Sequence, residues 1–157
     1  MVSLGIGLLK LNTDACVNKE ADWYSIGGVL RDHQGRLLLA FGNRISQHIS
    51  VVHGELLAVL EGVKLLYEKN FNNVLVETDF LLAVQAVAAT QDDLNYVCLC
   101  ATDIGERFRN LAISYFTHVY RSANVVAHHL ARLFLTPVII CLHEWRVFFL
   151  VSSACNG

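Results

Sequence analysis

The chain has no basic excess: 12 Lys and Arg stand against 14 Asp and Glu, for a net charge of −2. No overall field draws it to nucleic acid or to an anionic membrane, so a polyanionic partner must be held locally. It has one proline, Pro137, and no Pro-rich linker, low-complexity run or internal repeat, so nothing marks a domain boundary before about residue 134. Its five cysteines, at 16, 98, 100, 141 and 155, form no CxxC pair. An odd number suits a reducing compartment better than a disulfide framework, and small core residues are expected. The N-terminus lacks the basic start and long apolar run of a signal peptide, so an intracellular protein of the nucleus or cytoplasm is expected. The C-terminal stretch FLTPVIICLHEWRVFFLVSS is apolar, but Pro137 and the block His143, Glu144, Trp145 and Arg146 cut it well below the ~20 residues a membrane helix needs.

What is present is core material. Of 157 residues, 54% are apolar and 17% charged, enough for one globular domain. Residues 8 to 14, 25 to 31 and 36 to 41 predict three successive strands, the last two joined by a RDHQG hairpin turn in which Gly35 supplies the positive φ. VVHGELLAVLEGVKLLYEKN has helical length and composition, NNVLVETD predicts a short strand, and FLLAVQAVAA a second helix. QDDLN is a polar break offering Asp92 or Asp93 as the N-cap of a third helix that runs to about Arg109. LAISYFTHVY predicts a strand, and a last helix spans about Asn124 to Arg132. The order is βββαβααβα, an α/β domain over residues 8–134, followed by an apolar tail, 135–157, free to pack on the domain, on a second copy or on a protein partner.

Three acids fit this scheme poorly as ordinary surface residues. LLKLNTDACV is the start of a half-buried strand, yet Asp14 stands at its inner end. On a helical wheel of about 100° per residue, Glu55 lies among Val59, Gly62, Leu65 and Leu66, whereas Glu61, Lys64 and Glu68 take the opposite side. An unpaired buried charge is costly, so something should compensate Glu55. In VLVETDF, Asp79 again sits where a strand ends. If the strands carrying Asp14 and Asp79 are parallel neighbours, their carboxyl ends lie side by side, where sites assemble, with Glu55 above them. Three carboxylates so close repel unless cations sit among them, and oxygen-only ligands favour Mg²⁺ or Mn²⁺. Singly, Asp79 could be a helix N-cap, Asp14 a turn residue and Glu55 a half-exposed acid in a first helical turn.

NTDA, GGVLRDHQGRLLLAF, HGELLAVLEGV, VLVETD and FTHVYRSANVVAHHLAR, in that order over about residues 8 to 134, resemble the type 1 ribonuclease H fold, in particular the plant reverse-transcriptase-like ribonuclease H domains. The resemblance implies a five-stranded mixed sheet, the first three strands antiparallel, with helices on both faces. It also implies two-metal endonucleolytic hydrolysis of the RNA strand of an RNA–DNA hybrid. The family's acids fall on Asp14, Glu55 and Asp79. Two Mg²⁺ or Mn²⁺ ions would act at the scissile phosphate, one lowering the pKa of the attacking water and one stabilising the departing 3′ oxygen. RNA would be selected through its 2′-hydroxyl.

The same resemblance assigns further candidates. His128 stands where many such ribonucleases have a fourth acid, as a catalytic and metal-ligating residue better suited to Mn²⁺ than to Mg²⁺. His118 falls near a histidine that some members use to move a proton or help product leave; a half-buried strand histidine fits its place equally. Ala15 replaces the glycine usual after the first Asp. Ala15, Cys16, Arg121 and Asn124 are the candidate nucleic-acid contacts. Lys10, Arg31, Arg36 and Arg44 are further local cations able to meet phosphates, while ATQDDLNY is acidic where strong hybrid binders carry a basic handle. A zinc site from His118, His128, His129 and His143 matches no known ligand spacing. Two other readings stay open: a retroelement-derived nucleic-acid-binding domain with weak or lost catalysis, and a protein-interaction module using the tail.

Overall fold

The computed structural model describes residues 7–20, 23–46, 49–89, 95–111 and 115–135, and the backbone of 146–150. Three antiparallel strands open the chain: β1 (Leu9–Asn18), β2 (Trp23–Arg31) and β3 (Leu37–Ile45). The turn between β2 and β3 is built by Asp32, whose Oδ1 accepts from the backbone N–H groups of Gln34 and Arg36, both at 2.9 Å, and Gly35 takes φ 79° as its position requires. Helix α1 (Val51–Glu68) starts at Ser50, whose side chain accepts from the His53 N–H. It ends two residues before the expected Asn70, which turns the chain at φ 58°.

Strand β4 (Val74–Thr78) then pairs parallel with β1, and after α2 (Leu81–Ala88) and α3 (Tyr96–Asn110), β5 (Tyr115–His118) pairs parallel with β4. The cap of α3 is Asn95, which accepts from the Cys98 N–H, and not Asp92 or Asp93. Asn95 is the last residue before the helix able to reach that donor; positions 92 and 93 lie outside the described residues. A 3-10 turn, Arg121–Ala123, leads to α4 (Val125–Leu133).

The five expected strands thus form one mixed sheet in the order β3-β2-β1-β4-β5. A sixth, β6 (Arg146–Leu150), extends it by pairing antiparallel with β3. It comes from the tail, whose apolar run carried no strand assignment at sequence level.

Because strand side chains alternate, the sheet has two dissimilar faces. Leu11 and Leu30 join Leu39, Phe41, Val74 and Val76 under α1, packed with Leu56, Val59, Val63 and Leu66. Helix α4 lies on the other face, over Gly27, where an added Cβ would stand 2.5 Å from Ala131 N. The Ser25 hydroxyl donates to Ala131 O. Arg44 lies 4.0 Å over the Trp23 ring and donates to Phe134 O. Strand side chains and backbone thus hold the C-terminal part of the helix on the sheet. Among the described residues no helix is long and apolar enough to cross a membrane.

Candidate metal centre where two parallel strands part

Asp14 is not at the end of its strand: β1 continues to Asn18, with Asp14 opposite Gly27. The ordinary turn explanation for this acid is therefore gone. The β1–β4 register runs from Leu9 opposite Val74 to Thr13 opposite Thr78, so the next residues on the two strands, Asp14 and Asp79, stand side by side. Asp79 does not cap α2 either. Phe80 is the N-cap residue and receives no side-chain cap bond, while the Thr78 hydroxyl accepts from the Phe80 N–H.

Glu55 arrives from the first turns of α1. Gly54 lets this end of the helix settle on the sheet, since even a bare Cβ there would stand 3.1 Å from Tyr24 Cδ1 and 3.6 Å from the Ala15 methyl. Glu55 is 5% exposed, as the helical wheel predicts.

One carboxylate oxygen from each of Asp14, Glu55 and Asp79 lies within 4.8 Å of the others. Burial, then the neighbouring charges of Asp14 and Asp79, push the Glu55 carboxyl up to about 9. Burial and Asp79 raise Asp14 to about 6 against the opposing effect of its bond to His128. The Ala15 backbone opposes part of that rise at both Glu55 and Asp14. Glu55 Oε2 is buried and has no hydrogen-bond partner. An orphaned buried oxygen, facing two further carboxylates whose charges oppose its ionisation, is the donor set of a hard divalent cation. The three residues fit Mg²⁺ or Mn²⁺.

A second layer holds these acids. Asn124, 1% exposed, donates from Nδ2 to Thr13 O at 2.9 Å and to Asp79 Oδ1 at 3.2 Å, tying the start of α4 to β1 and to the end of β4. His128 Nδ1 is 2.6 Å from Asp14 Oδ2. An Arg121 guanidinium nitrogen approaches its Nδ1 and Nε2 at 3.1 and 2.9 Å. The tautomer with Nδ1–H donating to Asp14 and Nε2 accepting from Arg121 satisfies the ring. Cys16 is half-buried with Sγ 3.8 Å from His128 Nδ1. Burial, then the charges of Asp14 and Glu55, push its thiol up to about 12.

Not every candidate is gathered here. His118 ends β5 opposite Thr78, its ring edge-on to Tyr120 at 6.2 Å, and belongs to neither convergent ligand group among the described residues. His129 is exposed, and His143 lies outside the described residues. Four cations expected to be free for phosphates are engaged in the fold. Lys10 is 3.1 Å from Glu77 Oε1, Arg31 donates to Asn12 Oδ1, Arg36 pairs with Asp32 at 2.7 Å, and Arg44 lies on Trp23. Two supports of the site have no distinctive sequence signature, Gly54 beside Glu55 and Gly27 beneath α4. Their only signals are the dipeptides GE and GG, which many turns share.

A family model described as reverse transcriptase-like matches residues 12–134. No curated protein matches the chain by sequence alone. Among solved structures, RNase H1 from the halophilic archaeon Halobacterium salinarum is similar with a TM-score of 0.71 at 18% identity, over 79% of this chain and 94% of that one. LC11-RNase H1, isolated from compost and solved in complex with an RNA/DNA hybrid, gives a TM-score of 0.69 at 18% identity, over 80% and 94%. The N-terminal RNase H domain of a Mycobacterium tuberculosis protein gives 0.69 at 14% identity, over 79% and 95%. The fold is that of type 1 RNase H.

Proposed function

Because the chain belongs to the reverse transcriptase-like family, we propose that it is a divalent-cation-dependent endonuclease that hydrolyses the RNA strand of RNA–DNA hybrids. The observation that carries this reading is the convergence of Asp14, Glu55 and Asp79 around a buried glutamate oxygen with no partner. The likeness to LC11-RNase H1, solved with an RNA/DNA hybrid, supports the substrate class.

Asp14, Glu55 and Asp79 would hold two Mg²⁺ or Mn²⁺ ions, with His128 as a ligand beside Asp14. When bound, the ions supply an activated water and charge stabilisation for the departing 3′ oxygen. The chain's own residues do the positioning. Asn124 fixes the Asp79 carboxylate against β1, so that ligand needs little rearrangement. Arg121, exposed at the mouth of the site, meets a phosphate. Ala15 and Cys16 line the strand that runs out from Asp14, where the minor-groove 2′-hydroxyls would pass. His118 takes the role of a proton carrier or product-release residue only if it swings toward the site.

Incubation of a labelled hybrid with Mg²⁺ or Mn²⁺ tests the proposal. Cleavage leaving 5′-phosphate and 3′-hydroxyl ends, abolished in Asp14→Asn, is expected. One observation favours a second reading, a nucleic-acid-binding domain without turnover: Asp14 Oδ2 is already occupied by His128 at 2.6 Å. Hybrid retention in a filter assay with no cleavage by either ion would select it.

A further inference from the structure

Asp14 belongs to two convergent groups. The second, Asp14 with Cys16 and His128, also brings one ligand atom from each residue within 4.8 Å of the others, and its chemistry differs from the first: a thiol, an imidazole and a carboxylate in place of three carboxylates. We propose that Cys16, His128 and Asp14 form a Zn²⁺ site that shares Asp14 with the acid cluster and withdraws His128 from it, so that zinc occupancy opposes loading of the cluster by Mg²⁺ or Mn²⁺.

The geometry is close to what zinc needs. Zn–S and Zn–N bonds of about 2.3 and 2.05 Å at a tetrahedral angle separate sulfur from nitrogen by roughly 3.6 Å. Cys16 Sγ and His128 Nδ1 are 3.8 Å apart. The Nδ1 to Oδ2 separation, 2.6 Å, is that of a hydrogen bond and must open to about 3.3 Å for a metal to replace the proton. Asp14 and Cys16 are two residues apart on β1 and so share a face. His128 stands on α4, which Ser25 and the close fit over Gly27 fix in place. The three ligands therefore sit on rigid elements, with the fourth position left for water.

The protons balance. On binding, the Nδ1 proton leaves and Nε2 takes one up, so the ring stays neutral, and the Cys16 thiol proton goes to solvent as the Zn–S bond forms. Arg121, which cannot donate to an Nε2–H, swings away; it is exposed and lies on a short 3-10 turn. The other charges acting on this corner are Asp14 and Glu55, which favour a cation, and Arg132, which opposes one. Mg²⁺ makes no use of a thiolate, so Cys16 separates the two sites chemically.

The binding half of the inference stands on these three side chains; the competition half rests on the nuclease reading of the acid cluster. Co²⁺ titration of the full chain in a non-thiol reductant, followed by Zn²⁺ displacement, separates them. One equivalent of Co²⁺ giving a thiolate-to-metal charge-transfer band, displaced by Zn²⁺, is expected. Cys16→Ser loses the band, and Cys16→Ser and His128→Ala each weaken Zn²⁺ by at least about a hundred-fold. A Co²⁺ spectrum without the band, or an unchanged Zn²⁺ affinity in a folded Cys16→Ser chain, overturns the site. Calorimetry with Mn²⁺ after zinc loading should read an affinity lower by about ten-fold or more, and equal Mn²⁺ affinity with and without zinc overturns the competition. Hybrid cleavage by a chain that shows no thiolate band would sink this inference alone. A thiolate band in a chain that cleaves no hybrid would sink only the nuclease reading.

Discussion

Glu55 and Glu77 are both buried glutamates, 5% and 6% exposed, on elements that touch β1. Their surroundings are opposite. Glu77 accepts from Asn12 Nδ2 at 2.9 Å and pairs with Lys10 at 3.1 Å, while Asn12 in turn accepts from Arg31. Its charge is closed within a network on the α4 face of the sheet. Glu55 has two further carboxylates for neighbours, and one of its oxygens has no partner. A paired buried charge can be read as part of the fold, whereas one buried against its own sign is carried for something that is added later.

Substitution should pull the two apart. Glu55→Gln is expected to cost on the order of a thousand-fold in Mg²⁺-dependent hybrid cleavage, the loss of several kcal/mol of charge stabilisation. In chelator near neutral pH the same change should raise stability by about 1–2 kcal/mol, because an amide needs no proton uptake to be buried beside Asp14 and Asp79. Glu77→Gln should do the reverse, lowering stability by about 1–3 kcal/mol through the broken network and leaving metal uptake intact. Denaturant unfolding with parallel activity assays checks both, and a Glu77→Gln chain that loses metal uptake while keeping its stability would erase the contrast.

Gly27→Ala attacks the contrast from the α4 side. Its Cβ would meet backbone, Ala131 N at 2.5 Å, so the helix must lift. A loss of about 2–3 kcal/mol is expected, together with weaker hybrid cleavage, because Asn124 and His128 move with α4. Unfolding melts and single-turnover rates measure the two effects.

The same strain should show in the pH dependence of stability. An acid whose pKa rises on folding binds its proton more tightly when native, so stability falls as pH rises through the raised value. In chelator the melting temperature should therefore fall between the ordinary 4.5 of a glutamate and about 9 for Glu55, with Asp14 adding its share between 3.8 and about 6. Mn²⁺ should flatten that decline by keeping the ionised carboxylates favourable. A melting profile that rises across this range in chelator would show that the acids are not strained.

Much of this was legible in the chain. Glu55 is marked by a helix wheel that places it among Val59 and Leu66, and the parallel pairing of the strands that carry Asp14 and Asp79 is legible too, although only Asp79 stands at a strand end. What escaped depends on contacts distant in sequence. Asn124 reaches Thr13 and Asp79, and neither bond leaves a local pattern. Lys10, Arg31 and Arg44 carry the charge of phosphate binders but are used inside the fold, since only the strand register brings Glu77, Asn12 and Trp23 beside them. The continuation of β1 past Asp14 is hidden because Asp14 and Ala15 both have weak strand preference. The tail strand β6 finds its partner on the far edge, β3, a pairing that no short-range periodicity encodes.

The most direct test is a calorimetric titration of Mn²⁺ into the wild-type chain and into Glu55→Gln. Uptake by the wild type is predicted, with stabilisation of about 2.7 kcal/mol at free metal a hundred times Kd, and its loss in the variant. No uptake by the wild type, or equal uptake by both, would contradict the claim that the unpartnered Glu55 oxygen is held for a cation.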